Sequence, residues 1–114
     1  MKRLKTKINK KTHEDKARND QLRIQKFMKH YDLTAEEAGL ATALMDDYLY
    51  RGYSEEIRNR AAASGHSVTQ QVVRLVKLGR TKNPIVFHLL LIYAAENKTA
   101  TEDVQDKIKE QLSK

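Results

Sequence analysis

The residues of this chain that could do chemistry are cations and tyrosines, and the sets that enzymes use are missing. Four histidines stand at 13, 30, 66 and 88, none at metal-ligand spacing from another, so no zinc or iron site is expected. His13-Glu14-Asp15 reads as a solvated stretch, and His88, on an apolar run, as a satisfied core histidine. The carboxylate pairs Glu36-Glu37 and Asp46-Asp47 are adjacent on helical segments, which sends their members to different faces, unlike a paired acid and base. No glycine-rich loop could cradle a phosphate. The absence of cysteine excludes disulfides, thiol catalysis and thiolate metal sites, and fits a reducing cytoplasm. We read the chain as a non-enzyme with no cofactor and no metal.

Positive charge is concentrated instead of spread. The net charge is +7, yet residues 1–30 alone hold eleven Lys/Arg against three Asp/Glu, an excess of +8. Residues 31–50 have five acids and no base, and residues 51–82 return to seven bases against two acids. A polyanion is the natural partner of such a layout. Lys2, Arg3, Lys5, Lys7, Lys10 and Lys11 form a basic arm, with Leu4 and Ile8 as its only sizeable apolar groups. With so little to bury, residues 1–20 are expected to be a flexible arm that neutralises phosphates, or else a solubilising tail. The arm lacks the aromatic or leucine face that anchors a helix on a membrane. Tyr48, Tyr50 and Tyr53 flank Arg51, a cluster that could stack on bases, although aromatics at helical spacing also serve as core.

These residues must be positioned by helices. Leu22, Ile24, Phe27, Met28 and Tyr31 predict a helix to about His30, broken at Asp32-Leu33-Thr34. Thr34 and Glu37 form a capping box for a second helix with an apolar face of Leu40, Ala41, Leu44, Met45, Tyr48 and Leu49. Ser54 is placed to cap a third, ended by Gly65. Ser67 is placed to cap a fourth, with Gln70 at N3; Val72, Val73, Leu75 and Val76 give it an apolar stripe, and Gly79 ends it. Asn83 and Pro84 start a fifth helix, apolar nearly all round from Ile85 to Tyr93 and so buried in the fold or in an oligomer interface. At eleven residues, the run from Ile85 to Ala95 is too short to span a bilayer. Asn97 to Ala100 reads as a loop, and Thr101 as the cap of a last helix carrying Val104, Ile108 and Leu112.

The joint Gly65-His66-Ser67-Val68, with Val72 four residues on, resembles the joint between the two helices of ribbon-helix-helix DNA-binding proteins of the Arc/MetJ class. Leu78-Gly79-Arg80 and Pro84 further resemble plasmid relaxosome accessory proteins. The resemblance covers about a quarter of the chain. It implies a dimer whose two-stranded ribbon enters the major groove, with the ribbon squeezed between Tyr48 and Tyr53. In that arrangement Tyr50, Arg51 and Tyr53 meet base edges, and His66, Ser67 and Thr69, with Val68, hold a phosphate at a helix N-terminus. Arg58, Arg60, Arg80 and Lys82 lie along the backbone. The role implied is a transcriptional regulator or a plasmid-transfer accessory factor in the cytoplasm, bound to duplex DNA.

The expected fold is therefore mainly α: a flexible arm over 1–20, then one helical domain over 21–114 with the two-helix motif at 54–82. Its core is ribbon-helix-helix-like with additional helices, in a homodimer or higher homo-oligomer. The alternative is a compact all-α bundle of five to six helices with a disordered basic tail. That bundle would act as a protein-interaction module, an inhibitor or adaptor of a nucleoprotein complex, or bind RNA.

Overall fold

A computed structural model of the chain describes residues 18–113, which form five α-helices and no strand. The helices are α1 (18–31 as described), α2 (Ala35–Tyr48), α3 (Tyr53–Ala63), α4 (Gln70–Lys77) and α5 (Pro84–Leu112). The chain divides into two compact units, one up to Thr42 and one from Ala43, with the boundary inside α2.

In the first unit, Arg23, Phe27 and Tyr31 share one face of α1 at fourfold spacing. The Arg23 guanidinium lies 5.4 Å from the centroid of the buried Phe27 ring, and the Phe27 and Tyr31 rings are 6.2 Å apart. Asp32 turns the chain with a φ of 54°, a left-handed conformation that aspartate tolerates better than most residues. The Leu33 N–H then donates to the Met28 carbonyl at 3.2 Å. The expected capping box forms: the Thr34 N–H donates to Glu37 Oε1 at 2.9 Å, and the Glu37 N–H donates to Thr34 Oγ1 at 3.1 Å. Those bonds hold the Glu37 carboxyl below the usual glutamate range. Ala38, Ala41 and Thr42 are buried, and the Thr42 hydroxyl is satisfied by the Ala38 carbonyl at 2.9 Å. Leu40, expected on the apolar face, is 65% exposed.

The second unit packs α3, α4 and α5 against one another. Ile57 and Ala61 of α3, Val73 and Val76 of α4, and Val86, Leu90 and Ala94 of α5 are fully buried, and Phe87 nearly so. Burying one such branched side chain contributes about 1.5–3 kcal/mol, so these few residues hold the unit together. Glycine ends both helices of the motif as expected. Gly65 has a φ of 85°, and the His66 N–H reaches back to the Ala61 carbonyl at 2.8 Å. Gly79 has a φ of 78°, and the Arg80 N–H reaches the Leu75 carbonyl at 2.9 Å. Asn83 caps α5 by accepting from the Val86 N–H at 3.1 Å, with Pro84 in the first turn.

Several expectations are corrected. The six residues Tyr48–Tyr53 form no ribbon. Tyr48 ends α2, the Tyr53 N–H donates to the Tyr50 carbonyl at 3.1 Å, and Gly52, with a φ of 89°, starts α3. That tight turn leaves no extended backbone to pair. Ser54 is buried inside the first turn of α3, one step after the helix start, and caps nothing. Thr69, in place of Ser67, caps α4, accepting from the Val72 N–H at 3.1 Å. Asn97 to Ala100 is no loop, because α5 runs unbroken for 29 residues. His88 is exposed rather than core, and residues 18–20, expected in the flexible arm, are already helical.

Candidate nucleic-acid interface

The sequence from Ile57 to Ala95 contains six Lys/Arg and no Asp or Glu, and α4 lies in its middle. Val73 and Val76 are the buried side of α4, which turns Gln71 and Arg74 fully outward with Gln70 and Lys77 half-exposed beside them. At 100° per residue, roughly, these four polar side chains form one strip centred on Arg74. A glutamine and an arginine on such a strip are the residue types that bond bidentately to adenine and to guanine.

The start of α3 orients that strip. The Ser54 hydroxyl donates to Gln70 Oε1 at 3.2 Å, and the same oxygen accepts from Arg74 Nη2 at 3.3 Å. The Lys77 ammonium stands 4.9 Å from the centroid of the Tyr53 ring. Gln70, itself bonded to Ser54, and Tyr53 therefore give Arg74 and Lys77 defined partners at the surface. Neither cation is among the site residues expected from the sequence. The signal for them lies in Gln70-Gln71 followed by Arg74 and Lys77, the polar positions between the valines of an amphipathic helix.

The expected site residues separate into groups. Lys2, Arg3, Lys5, Lys7, Lys10 and Lys11 lie outside the described residues. Arg51, Arg80 and Lys82 are exposed in the two turns that precede α3 and follow α4. Tyr50 and Tyr53, expected to act together, are tied to different helices. The Tyr50 hydroxyl bonds to Thr101 Oγ1 of α5 at 3.0 Å, whereas Tyr53 faces Lys77 of α4. His66, Ser67 and Thr69 line the exposed joint, but α4 starts only at Gln70. The phosphate anchor expected at His66–Val68 thus has no helix start under it, and the His66 N–H is already bonded to Ala61.

Of the two remaining backbone cations, Arg60 is engaged within the fold and Arg58 only in a surface pair. Arg58 lies 3.9 Å from Glu55, one turn away. Arg60 grips both Glu96 oxygens at 2.8 and 3.0 Å, bonds to Glu56 at 2.7 Å, and lies 4.8 Å from the centroid of the Tyr93 ring. The bonds to Glu96 and then Glu56 push the guanidinium further above its usual range, and Arg60 in turn holds the Glu96 carboxyl below its own. Arg60 is a clamp between α3 and α5.

Among the described residues no cluster of three or more His, Asp or Glu could hold a metal ion, and no helix is long and apolar enough to cross a membrane. Comparison with protein-family models, with curated proteins and with solved structures finds no match for this chain.

Proposed function

We propose that the chain binds duplex DNA, with the exposed face of α4 toward base edges and the surrounding cations toward phosphates. The observation that carries this reading is the Gln71–Arg74–Lys77 strip, held by Ser54, Gln70 and Tyr53 in a segment free of acidic residues. Arg51, Arg80 and Lys82 would supply backbone contacts near it, and the lysines and arginine of residues 2–11 further ones. Arg60 is left to the fold, and Arg58, only loosely paired at the surface, stays with the backbone cations. The narrower roles, a cytoplasmic transcriptional regulator or a plasmid-transfer accessory factor working as a dimer, rest on the resemblance of the Gly65–Val72 joint.

The test is fluorescence anisotropy on labelled duplexes across a salt series, with preferred sites drawn from a random duplex library. Removing residues 2–11 should weaken binding to preferred and unrelated duplexes alike and flatten the salt dependence, by about 0.9 in log–log slope for each phosphate that is no longer neutralised. Arg74→Ala should instead narrow the gap between preferred and unrelated sites, by about 1–3 kcal/mol if it reads a base. Absence of binding at low salt, or a consistent preference for RNA over duplex DNA, overturns the reading.

A further inference from the structure

The core explains the valines of α4 but not the leucine that ends it. Val73 and Val76 are buried, and at about 100° per residue Leu78 lies on the opposite side, on the outward line of Gln71 and Arg74, seven and four residues before it. Its φ of −82° and ψ of −3° keep it in helical register, and its N–H donates to the Arg74 carbonyl at 3.1 Å. Leu78 is 46% exposed, and among the described residues between Arg51 and Lys82 no other large hydrophobic side chain is exposed. The helix stop does not require a leucine there. Gly79 and Arg80 close it with backbone bonds to the Val76 and Leu75 carbonyls. Leu75, half-exposed one turn back, flanks Leu78, and Arg80 and Lys82 are exposed in the turn that follows. The strip of Gln71 and Arg74 thus ends in an apolar group bordered by cations.

We infer that Leu78 is a specificity-determining residue that meets the C5-methyl group of a thymine in the major groove. The inference rests on the nucleic-acid reading of α4 and adds the one contact that its polar residues cannot make. In the major groove the base pairs present donors, acceptors and, at thymine, a methyl group. Gln71 and Arg74 can bond to the donors and acceptors. A leucine on the same line gains only from the methyl, because burying a polar base edge against it would leave that edge without a partner. The surroundings choose a nucleic acid over an apolar protein surface as the occupant. Arg74, Arg80 and Lys82 are the charged residues nearest to Leu78 in the sequence, and no carboxylate occurs from Ile57 to Ala95. The rise of α4 also sets the place of the thymine. Leu78 stands about 6 Å further along the helix than Arg74, at about 1.5 Å per residue, which spans about two base pairs at 3.4 Å each. Arginine favours guanine, so preferred sites should hold an A·T pair one or two base pairs from a guanine that depends on Arg74.

The test replaces each thymine of a preferred duplex, one at a time, by deoxyuridine, which keeps the base pair and removes only the methyl group. Fluorescence anisotropy with the full chain should find one position where the replacement weakens binding about fourfold, the worth of one buried methyl-sized group. Leu78→Ala should weaken binding to the thymine duplex by a similar factor and lose no more when that thymine becomes uracil. Leu78→Met, which keeps an apolar reach, should remain sensitive to the replacement. Thermal melts of both variants should match the parent chain, since Leu78 lies outside the core. Duplex binding with an Arg74-dependent preference but no uracil effect at any position overturns this inference and leaves the nucleic-acid reading standing. So does a uracil effect that persists in Leu78→Ala. A loss in Leu78→Ala that is equal for thymine and uracil duplexes, with a lower mass in sedimentation, assigns Leu78 to a contact between copies and overturns it too. Absence of duplex binding at low salt removes the underlying reading, and this inference with it.

Discussion

Replacing glycine by alanine should have opposite consequences at two positions of this chain, for reasons visible in the backbone. At Gly65 an added Cβ would meet nothing within 4 Å, but the residue has a φ of 85°. Steric clash is therefore absent, and the whole cost of Gly65→Ala is torsional, about 1–2 kcal/mol for an L-residue held in the left-handed region. Restricting the unfolded chain offsets about 0.4–1 kcal/mol of it, so a net loss of about 1 kcal/mol is expected. At Gly39 the added Cβ again meets nothing within 4 Å, but the residue lies inside α2, where alanine is the better helix former. Gly39→Ala should stabilise by about 0.8–1.0 kcal/mol. Guanidinium unfolding followed by circular dichroism separates the two: the midpoint should rise for Gly39→Ala and fall for Gly65→Ala, with an unchanged slope. In a thermal melt each kcal/mol corresponds to about 4–8 °C for a domain of this size. Gly65→Asn should fall between glycine and alanine, since asparagine visits the left-handed region more readily. A neutral or stabilising Gly65→Ala would refute the reasoning. The joint between α3 and α4 would then not turn as described, and the orientation of the Arg74 strip would fall with it.

Three further outcomes are expected. Thr69→Ala should destabilise by about 1 kcal/mol through loss of the α4 cap, whereas Ser67→Ala should be close to neutral in the same denaturant titration. Arg60→Met should lower the melting temperature by opening the link between α3 and α5 while leaving duplex affinity intact; a loss of affinity without a loss of stability would return Arg60 to the interface. The pH dependence follows from Glu37 and Glu96, whose carboxyls are both held below the usual range by their partners. A depressed folded pKa gives stability that is complete above the ordinary glutamate value of about 4.3 and is lost as pH falls through the lower folded values. Acid should therefore lower the unfolding midpoint below about pH 4.3, and Glu96→Gln should reduce that dependence; an acid limb of equal steepness in the variant counts against the clamp.

What the sequence determines by itself here are the features whose partners are three to five residues away. The Thr34–Glu37 box, the Asn83 cap with Pro84, and the helix stops at Gly65 and Gly79 all close within one turn, so residue type and spacing suffice to read them. The valine spacing of α4 and the concentration of positive charge are legible for the same reason.

Tertiary structure decided what depends on a partner far along the chain. Ser54 looks like a cap and Ser67 looks like a cap, but α3 starts one residue before Ser54, whose hydroxyl is taken by Gln70, sixteen positions away. Asn97 and Thr101 look like a break and a new start. They stay helical, with Asn97 bonded to the Tyr48 carbonyl and Thr101 to the Tyr50 hydroxyl, which gives polar side chains partners inside a continuous helix. Arg60 counts as one more cation until α5 brings Glu96 and Tyr93 beside it. Local composition reports how much charge a segment carries. Only packing decides which cations are consumed inside the fold, and which, like Arg74, are held outward for something else to meet.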